Sequence, residues 1–174
     1  KELAKASGLP EQTFVDGFKA GKSINQILRE NGKVPETVQA AVLADIRARG
    51  IRPIINIGDV IGYGPEPQRC LDLAREQCSV VLCGNHEYAV MNSPEGFNPV
   101  ARGAVEYVRE ILLPRSGNDI EAHRRWDFLR GLQPEYVAES FVAMHGSPRH
   151  PVMEYVLPSD PEVDPLKIDE IFFA

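Results

Sequence analysis

The chain has 174 residues, of which 43% are hydrophobic and 25% are charged, and its net charge at pH 7 is −6. This composition is typical of a globular domain and excludes a disordered chain. The charge is uneven, because residues 1–50 carry eight basic and six acidic residues whereas residues 51–174 carry eleven and nineteen. The acidic part argues against nucleic acid as a main partner. The apolar runs are too short for a membrane-spanning helix.

The beginning of the chain is predicted to be helical. Phe14, Val15 and Phe18 would share one face of an amphipathic helix, and Ser23 with Gln26 forms a capping-box pattern that begins a second helix. A third helix is predicted over residues 35–48. We expect residues 1–33 to form a helical module and residues 34–174 a separate domain. The module is expected to serve packing or to dock a partner. The alternative is a helix-turn-helix that reads DNA, and it is disfavoured because no run of arginines lies on one helix.

From residue 51 the pattern changes to strand, loop and helix. Strands over 54–57 and 79–83, joined by a helix over 67–77, predict two parallel strands with a crossover. Further helices are predicted over 101–113 and 120–132, a strand over 136–144, and a last helix near 166–173. The predicted fold class is α/β, with a layered β-sheet core flanked by helices and the small helical module at the N-terminus.

Three cysteines, Cys70, Cys78 and Cys83, are odd in number and lack zinc-finger spacing. They favour reduced thiols, and therefore a cytoplasmic protein, over a disulfide or a metal role. No signal peptide is visible at Lys1. The apolar run 171–174 predicts that the sequence ends inside a truncated element.

Polar side chains follow three predicted strands at the point where each strand ends. Asp59 follows the first strand, Asn85 and His86 follow the second, and His145 follows the third. A carboxylate, an amide oxygen and an imidazole are ligand types for a divalent metal. Burying an amide next to a histidine is costly unless both groups are used. The alternative is that these residues only satisfy turns.

The order Gly-Asp, Gly-Asn-His-Glu and His-Gly resembles that of the calcineurin-like metallophosphoesterase superfamily. The segment 58–67, together with Cys70, is similar to the small bacterial and archaeal branch of that superfamily, and so are the segments 97–99, 144–149 and 154–156. The resemblance covers about residues 38–174. It implies an incomplete calcineurin-like phosphoesterase fold.

The resemblance also implies roles for individual residues. Asp59 would bridge two metal ions, and Asn85 and His145 would bind the second of them. His86 would lie beside the scissile phosphate as the catalytic residue, and Glu87 would be a second-shell partner of an imidazole. The implied cofactors are one or two divalent ions of manganese, iron, zinc or nickel.

Three further residues are candidates for the second shell or for substrate contacts: Gly84, Tyr63 and His150. Tyr63 would stack on a nucleobase or serve ordinary packing. His150 would contact substrate or be a loop histidine without a role. The implied activity is metal-dependent hydrolysis of a phosphate ester, with a small phosphodiester or nucleotide-type substrate. The resemblance thus implies a hydrolase of the metallophosphoesterase or phosphodiesterase type.

Two family motifs do not occur in this sequence. The four histidines lie at positions 86, 123, 145 and 150, so an Asp-x-His motif is missing before Asp59 and a Gly-His-x-His motif is missing after the last predicted helix. This predicts either a fragment of a phosphoesterase or a natural loss of activity. In the second case the domain would be a degenerate scaffold or binding module whose N-terminal helices dock a partner. A homo-oligomer that exchanges a strand between copies is a further prediction.

Overall fold

The computed structural model describes residues 1–156, and it divides the chain into two compact units, of which the first is Lys1–Arg52 and the second begins at Pro53. We call these the helical unit and the site unit. The expected division at residue 33 differs from this one, because the helix over residues 35–48 lies in the helical unit. The helix predicted near 166–173 lies outside the described residues. Among those residues, no helix is long and apolar enough to cross a membrane.

Four helices form the helical unit. In chain order they are α1 (Glu2–Ser7), α2 (Glu11–Lys19), α3 (Ile24–Glu30) and α4 (Pro35–Ala48). The predicted capping box is confirmed: the Ser23 hydroxyl accepts a hydrogen bond from the Gln26 N–H at 3.2 Å, and the Gln26 side chain accepts one from the Ser23 N–H at 2.8 Å. Helix α1 was not predicted.

The helical unit has a small core of its own. Phe14, Ile27, Leu28 and Val38 are buried and pack together. The prediction that Val15 and Phe18 share the buried face of α2 with Phe14 is wrong, because 41% and 51% of these two residues remain exposed. A helix of nine residues presents one narrow stripe to so small a core, and Phe14 occupies it.

The site unit begins with the predicted parallel pair. Strand β1 (Ile55–Asn56) pairs with β2 (Val80–Val81), with Ile55 opposite Val80, and α5 (Pro67–Gln77) connects the two strands. Both strands are shorter than predicted. The helix starts at a proline, which suits the first turn because the missing N–H would have no partner there.

Three more helices follow, α6 (Asn85–Met91), α7 (Pro99–Leu112) and α8 (Ile120–Gly131). Their buried faces form the main core with α5, and its members include Leu71, Ala89, Val90, Val105, Val108, Leu112, Trp126 and Leu129. A bidentate ion pair between Arg125 on α8 and Asp72 on α5, with N–O distances of 2.5 to 3.1 Å, fixes these two helices together. Helix α6 was not predicted, although the candidate site residues begin it.

The strand predicted over 136–144 is wrong, because this segment is a hairpin. Strand β3 (Glu135–Val137) runs antiparallel to β4 (Val142–Met144), and the Ala138 N–H donates to the Phe141 carbonyl across the turn. The described residues therefore contain two two-stranded sheets. One isolated parallel β-bridge, between Leu82 and Gln133, lies outside these two sheets. The mixture of helices and strands agrees with the predicted class, and the layered sheet stays a prediction.

Candidate metal centre

The first turn of α6 carries three of the predicted site residues. Gly84 is the N-cap, and Asn85, His86 and Glu87 follow it with exposures of 6%, 6% and 0%. A side chain at Gly84 would collide with the Asp59 carboxylate and would place its Cβ 2.5 Å from the Asp59 nitrogen. The absence of a side chain therefore lets the loop after β1 contact the start of α6.

Glu87 holds this contact together from inside the unit. Its carboxylate accepts hydrogen bonds from the backbone N–H groups of Asp59 (2.8 Å), Gly84 (2.9 Å) and Ile61 (3.0 Å). The predicted imidazole partner is thus replaced by three backbone groups. These bonds fix Asp59 at φ +56°, a left-handed conformation that aspartate tolerates better than most residues. As a result, one Asp59 oxygen lies 3.2 Å from the His86 N–H and accepts its hydrogen bond.

His145 follows β4 and reaches the same place from the hairpin. Its Nδ1 lies 3.0 Å from the carbonyl oxygen of Ile57. Because a carbonyl can only accept, this contact assigns the proton to Nδ1 and leaves the lone pair of neutral His145 on Nε2. That nitrogen faces the Asn85 Oδ1 at 3.0 Å and the Asp59 Oδ2 at 3.5 Å.

Asp59, Asn85 and His145, the three predicted ligands, therefore converge. The Asn85 amide atom that faces His145 lies 3.2 and 3.3 Å from the two Asp59 oxygens. Two ligand atoms that are each about 2.1 Å from one cation lie about 3.0 Å apart at a right angle and about 3.4 Å apart at the tetrahedral angle. The separations of 3.0 and 3.3 Å from the amide atom to the imidazole and the carboxylate lie in this range, and the 3.5 Å between imidazole and carboxylate lies just above it.

The chemistry of the three groups also fits a cation. With the amide oxygen turned toward His145, all three facing atoms are acceptors that a cation can bind, whereas with the amide nitrogen turned inward it donates to His145 Nε2 at 3.0 Å and lies 3.2 and 3.3 Å from the Asp59 oxygens. Burial raises the pKa of the nearby Cys83 thiol to about 11, with further contributions from the negative charges of Glu87 and Asp59. In the described part of the chain, no group of three or more histidine, cysteine, aspartate or glutamate side chains is arranged to hold a metal. The set is thus one carboxylate, one imidazole and one amide.

His86 lies next to this set in an aromatic surrounding. Its ring meets those of Tyr63 and Phe97 edge-on, with centroids 4.9 and 5.3 Å away. Its Nδ1 is buried without a hydrogen-bond partner and faces Gly62, where a Cβ would lie 2.8 Å away. The ring is thereby fixed at the wall of a cavity of about 270 Å³ that Tyr63, Phe97 and Asn98 also line.

A second cavity of about 270 Å³ contains Asp59, Asn85 and His145. The two cavities share Asn85, Met153 and Tyr155 in their walls. Tyr63 is 67% exposed and so remains available to a ligand. His150 is exposed and lines neither cavity, and its described bonds are those of its backbone, so the structure does not bring it to the site.

Two features of the site were missed from the sequence. The hydroxyl of Tyr155 lies 3.4 Å from the Asn85 Nδ2, a contact that was not predicted although the segment 154–156 was part of the motif resemblance. The fully buried Ser147 donates to the Glu154 carboxylate in the loop that carries Tyr155. This pairing could not be predicted, because Ser147 and Glu154 are seven residues apart and match no known pairing pattern.

Comparison with known proteins finds relatives that match part of this chain. No protein-family model matches the chain. An uncharacterised protein of Methanocaldococcus jannaschii is 31% identical over 126 residues, which cover 68% of this chain and 48% of that protein. The chain is also similar to the crystal structure of a metallophosphoesterase from Sphaerobacter thermophilus, with 31% identity over 66% of this chain and 45% of the other, and a TM-score of 0.48. The chain thus spans about half the length of the relatives it matches.

Proposed function

We propose that the site unit takes part in metal-dependent hydrolysis of a phosphate ester, with a small phosphodiester or nucleotide-type compound as substrate. The observation that carries this proposal is the convergence of the Asp59 carboxylate, the Asn85 amide and the His145 imidazole in a triangle with edges of 3.0 to 3.5 Å. The motif resemblance described above names the same three residues as ligands. The proposal places manganese, iron, zinc or nickel there.

Each residue has a defined task in this proposal. Asp59, Asn85 and His145 would hold the cation, and Glu87 holds Asp59 in place through its backbone bonds. A bound divalent cation supplies Lewis acidity toward a phosphoryl oxygen and lowers the pKa of bound water. His86 is the proposed catalytic residue, because its ring is fixed beside the triangle at the wall of the open cavity. There it would donate a hydrogen bond to a phosphate oxygen or to the leaving group.

One observation favours a second candidate function. Among the described residues the site offers a single carboxylate and a single imidazole as strong ligands, with the amide of Asn85 as the third. Three ligands bind one metal with open positions, and they bind it less tightly than a complete set. The second candidate is therefore a non-catalytic scaffold or binding module.

Hydrolysis of bis-p-nitrophenyl phosphate with manganese, iron, zinc or nickel tests the proposal on the whole chain. We expect turnover that both Asn85→Ala and His86→Ala abolish. His123→Ala is the matched control, because His123 is exposed on α8, where its Nε2 lies 3.2 Å from the Ser116 carbonyl. Turnover that survives both site substitutions would refute the assignment. If the chain binds metal but shows no turnover with any of the four metals, the result would support the non-catalytic scaffold or binding module.

A further inference from the structure

The cavity beside His86 has walls of a different chemistry from the triangle of proposed metal ligands. Its volume is about 270 Å³, and its walls include the rings of Tyr63, Phe97 and Tyr155 and the thioether of Met153. We call it the aromatic cavity. Rings with a few polar groups between them are typical of sites for small organic molecules, whose volumes are about 300–1,000 Å³. Because the aromatic cavity lies just below this range, it suits one compact group rather than a long chain.

The exposure of the tyrosines distinguishes this cavity from the rest of the surface. The chain has five tyrosines, and the two most exposed, Tyr63 at 67% and Tyr155 at 68%, both line the aromatic cavity. Tyr88 and Tyr107 are 44% and 47% exposed, and they line neither this cavity nor that of the triangle. An aromatic ring that is open to water is stabilised when a flat partner covers its face. The rings of Tyr63 and Tyr155 are therefore available for stacking on a ligand.

The polar groups of the aromatic cavity disfavour a second anion there. Among its described wall residues there is no lysine or arginine, and Glu95 contributes a carboxylate. A carboxylate without a neighbouring cation repels a further phosphate group. Asn98 also lines the cavity, and since its Oδ1 accepts from the Ala101 N–H at 2.9 Å, its NH₂ group is left to donate. The cavity thus offers ring faces, an acceptor and a donor, which fit an uncharged ligand.

The aromatic cavity adjoins the triangle. Its wall shares Asn85, Met153 and Tyr155 with the cavity that contains the triangle, and Asn85 is itself one corner of the triangle. A ligand with its phosphate at the triangle can therefore place a neighbouring group in the aromatic cavity. A nucleoside phosphate ester has this layout, because a sugar joins its phosphate to an uncharged flat base with donors and acceptors at the edge. A sugar phosphate without a base has no flat group for the rings.

We propose that the aromatic cavity is a nucleobase subsite, in which the rings of Tyr63 and Tyr155 stack on the base of a nucleoside phosphate ester whose phosphate lies at the triangle. This inference rests on the proposed function, because it names the substrate class of the same site. Every nucleobase has a flat face, so stacking alone does not select one base. Removal of an aromatic side chain that stacks on a base lowers the affinity by about 5- to 150-fold.

The experiment compares adenosine 5′-monophosphate with ribose 5-phosphate, which has the same sugar and phosphate and no base. Isothermal titration calorimetry on the whole chain with manganese measures the Kd of each compound. We expect the adenosine compound to bind at least about fivefold more tightly. Tyr63→Leu, and likewise Tyr155→Leu, should raise its Kd by about fivefold or more and leave that of ribose 5-phosphate unchanged. Tyr88→Leu is the matched control and should change neither Kd, because Tyr88 is an exposed tyrosine outside the cavity walls.

The second ligand separates stacking from a general structural effect. The ring of Tyr63 meets that of His86 edge-on at 4.9 Å, so its loss can also disturb the site itself. Such a disturbance weakens both compounds, whereas the loss of stacking weakens only the one that carries a base. Equal weakening of both compounds in the two variants would overturn the inference, and so would an adenosine 5′-monophosphate affinity that both substitutions leave unchanged.

The outcomes separate this inference from the proposed function. If the unaltered chain hydrolyses bis-p-nitrophenyl phosphate but binds both compounds equally, the nucleobase subsite is overturned and the hydrolase stands. If it prefers adenosine 5′-monophosphate and hydrolyses no ester, the subsite stands as part of a non-catalytic binding module and the proposed hydrolysis is overturned. If it neither hydrolyses the ester nor binds either compound, both are overturned.

Discussion

The buried carboxylate of Glu87 gives the sharpest prediction about how the site is held. Replacing it by glutamine preserves its shape and removes one acceptor. In the structure one oxygen accepts from the Asp59 and Gly84 N–H groups, and the other accepts from the Ile61 N–H. In the glutamine side chain, the amide oxygen can take the place of the oxygen that accepts from Asp59 and Gly84. The NH₂ group then faces the Ile61 N–H, which is also a donor. The Ile61 N–H is left without an acceptor, and the two remaining bonds lose their charge.

The magnitude follows from these three bonds. An unsatisfied buried donor costs about 1–3 kcal/mol, and a hydrogen bond to a neutral acceptor is weaker than one to a carboxylate by roughly 0.5–1 kcal/mol. The removal of a buried charge offsets part of this loss. We therefore expect Glu87→Gln to lower the free energy of unfolding of the site unit by about 2–4 kcal/mol, and the urea midpoint by about 1–2 M for an m value near 2 kcal/mol/M.

Urea unfolding followed by tryptophan fluorescence measures this change. The chain has a single tryptophan, Trp126, which lies in the core of the site unit, so the signal reports that unit. Glu106→Gln is the matched control, because Glu106 is exposed on α7, and we expect it to stay within about 0.5 kcal/mol of the unaltered chain. A Glu87→Gln chain that unfolds at the same urea concentration as the control would refute the idea that Glu87 holds the Asp59 loop.

Arg109→Ala should destabilise the site unit by about 1–3 kcal/mol, because the guanidinium donates to the Ala89, Val90 and Asn92 carbonyls at the end of α6; in the same unfolding assay the exposed Arg102→Ala should have no effect. The hydrogen bonds from Arg149 and then from Ser147 lower the pKa of Glu154 to about 2. The stabilisation of the 146–154 loop is therefore complete above pH about 4.5 and lost as the pH falls toward 2. Hydrogen exchange of the His150 amide should show this loss of protection, and the Glu154→Gln variant should not show the pH dependence. Burial and the charges of Glu87 and Asp59 raise the pKa of Cys83 to about 11, so iodoacetamide should label it far more slowly than the exposed Cys70 at pH 8; equal labelling rates, measured by mass spectrometry, would contradict this.

The elements that could be predicted are those with a local signal. The capping box at Ser23 and the prolines at positions 35 and 67 each mark a helix start within the segment itself, and the helices α3, α4 and α5 begin there. The hairpin of β3 and β4 was missed because its turn, residues 138–141, lacks glycine and the usual turn pairs. Apolar residues on both sides of that turn then read as one strand.

Helix α6 was missed for a different reason. Its seven residues were read only for their polar chemistry, and a glycine N-cap without a side-chain acceptor gives a weak start signal. The available signal was Glu87 at the third helical position, where a side chain can reach back to the N-cap N–H. The convergence of Asp59, Asn85 and His145 could be predicted from the strand ends. The left-handed backbone of Asp59 could not, because it depends on Glu87, 28 residues further along the chain.

The position of α6 explains why stability and site geometry are coupled in this unit. Its first turn carries Asn85, His86 and Glu87, and its following residues Ala89 and Val90 are 0% and 1% exposed in the main core. A substitution in the first turn therefore disturbs packing as well as chemistry. By contrast, the side chains of Asp59 and His145 are 36% and 21% exposed, and Tyr155 is 68% exposed. Changes at Asp59 and His145 therefore do less damage to the core, so these two proposed ligands separate metal binding from folding better than the helix residues do.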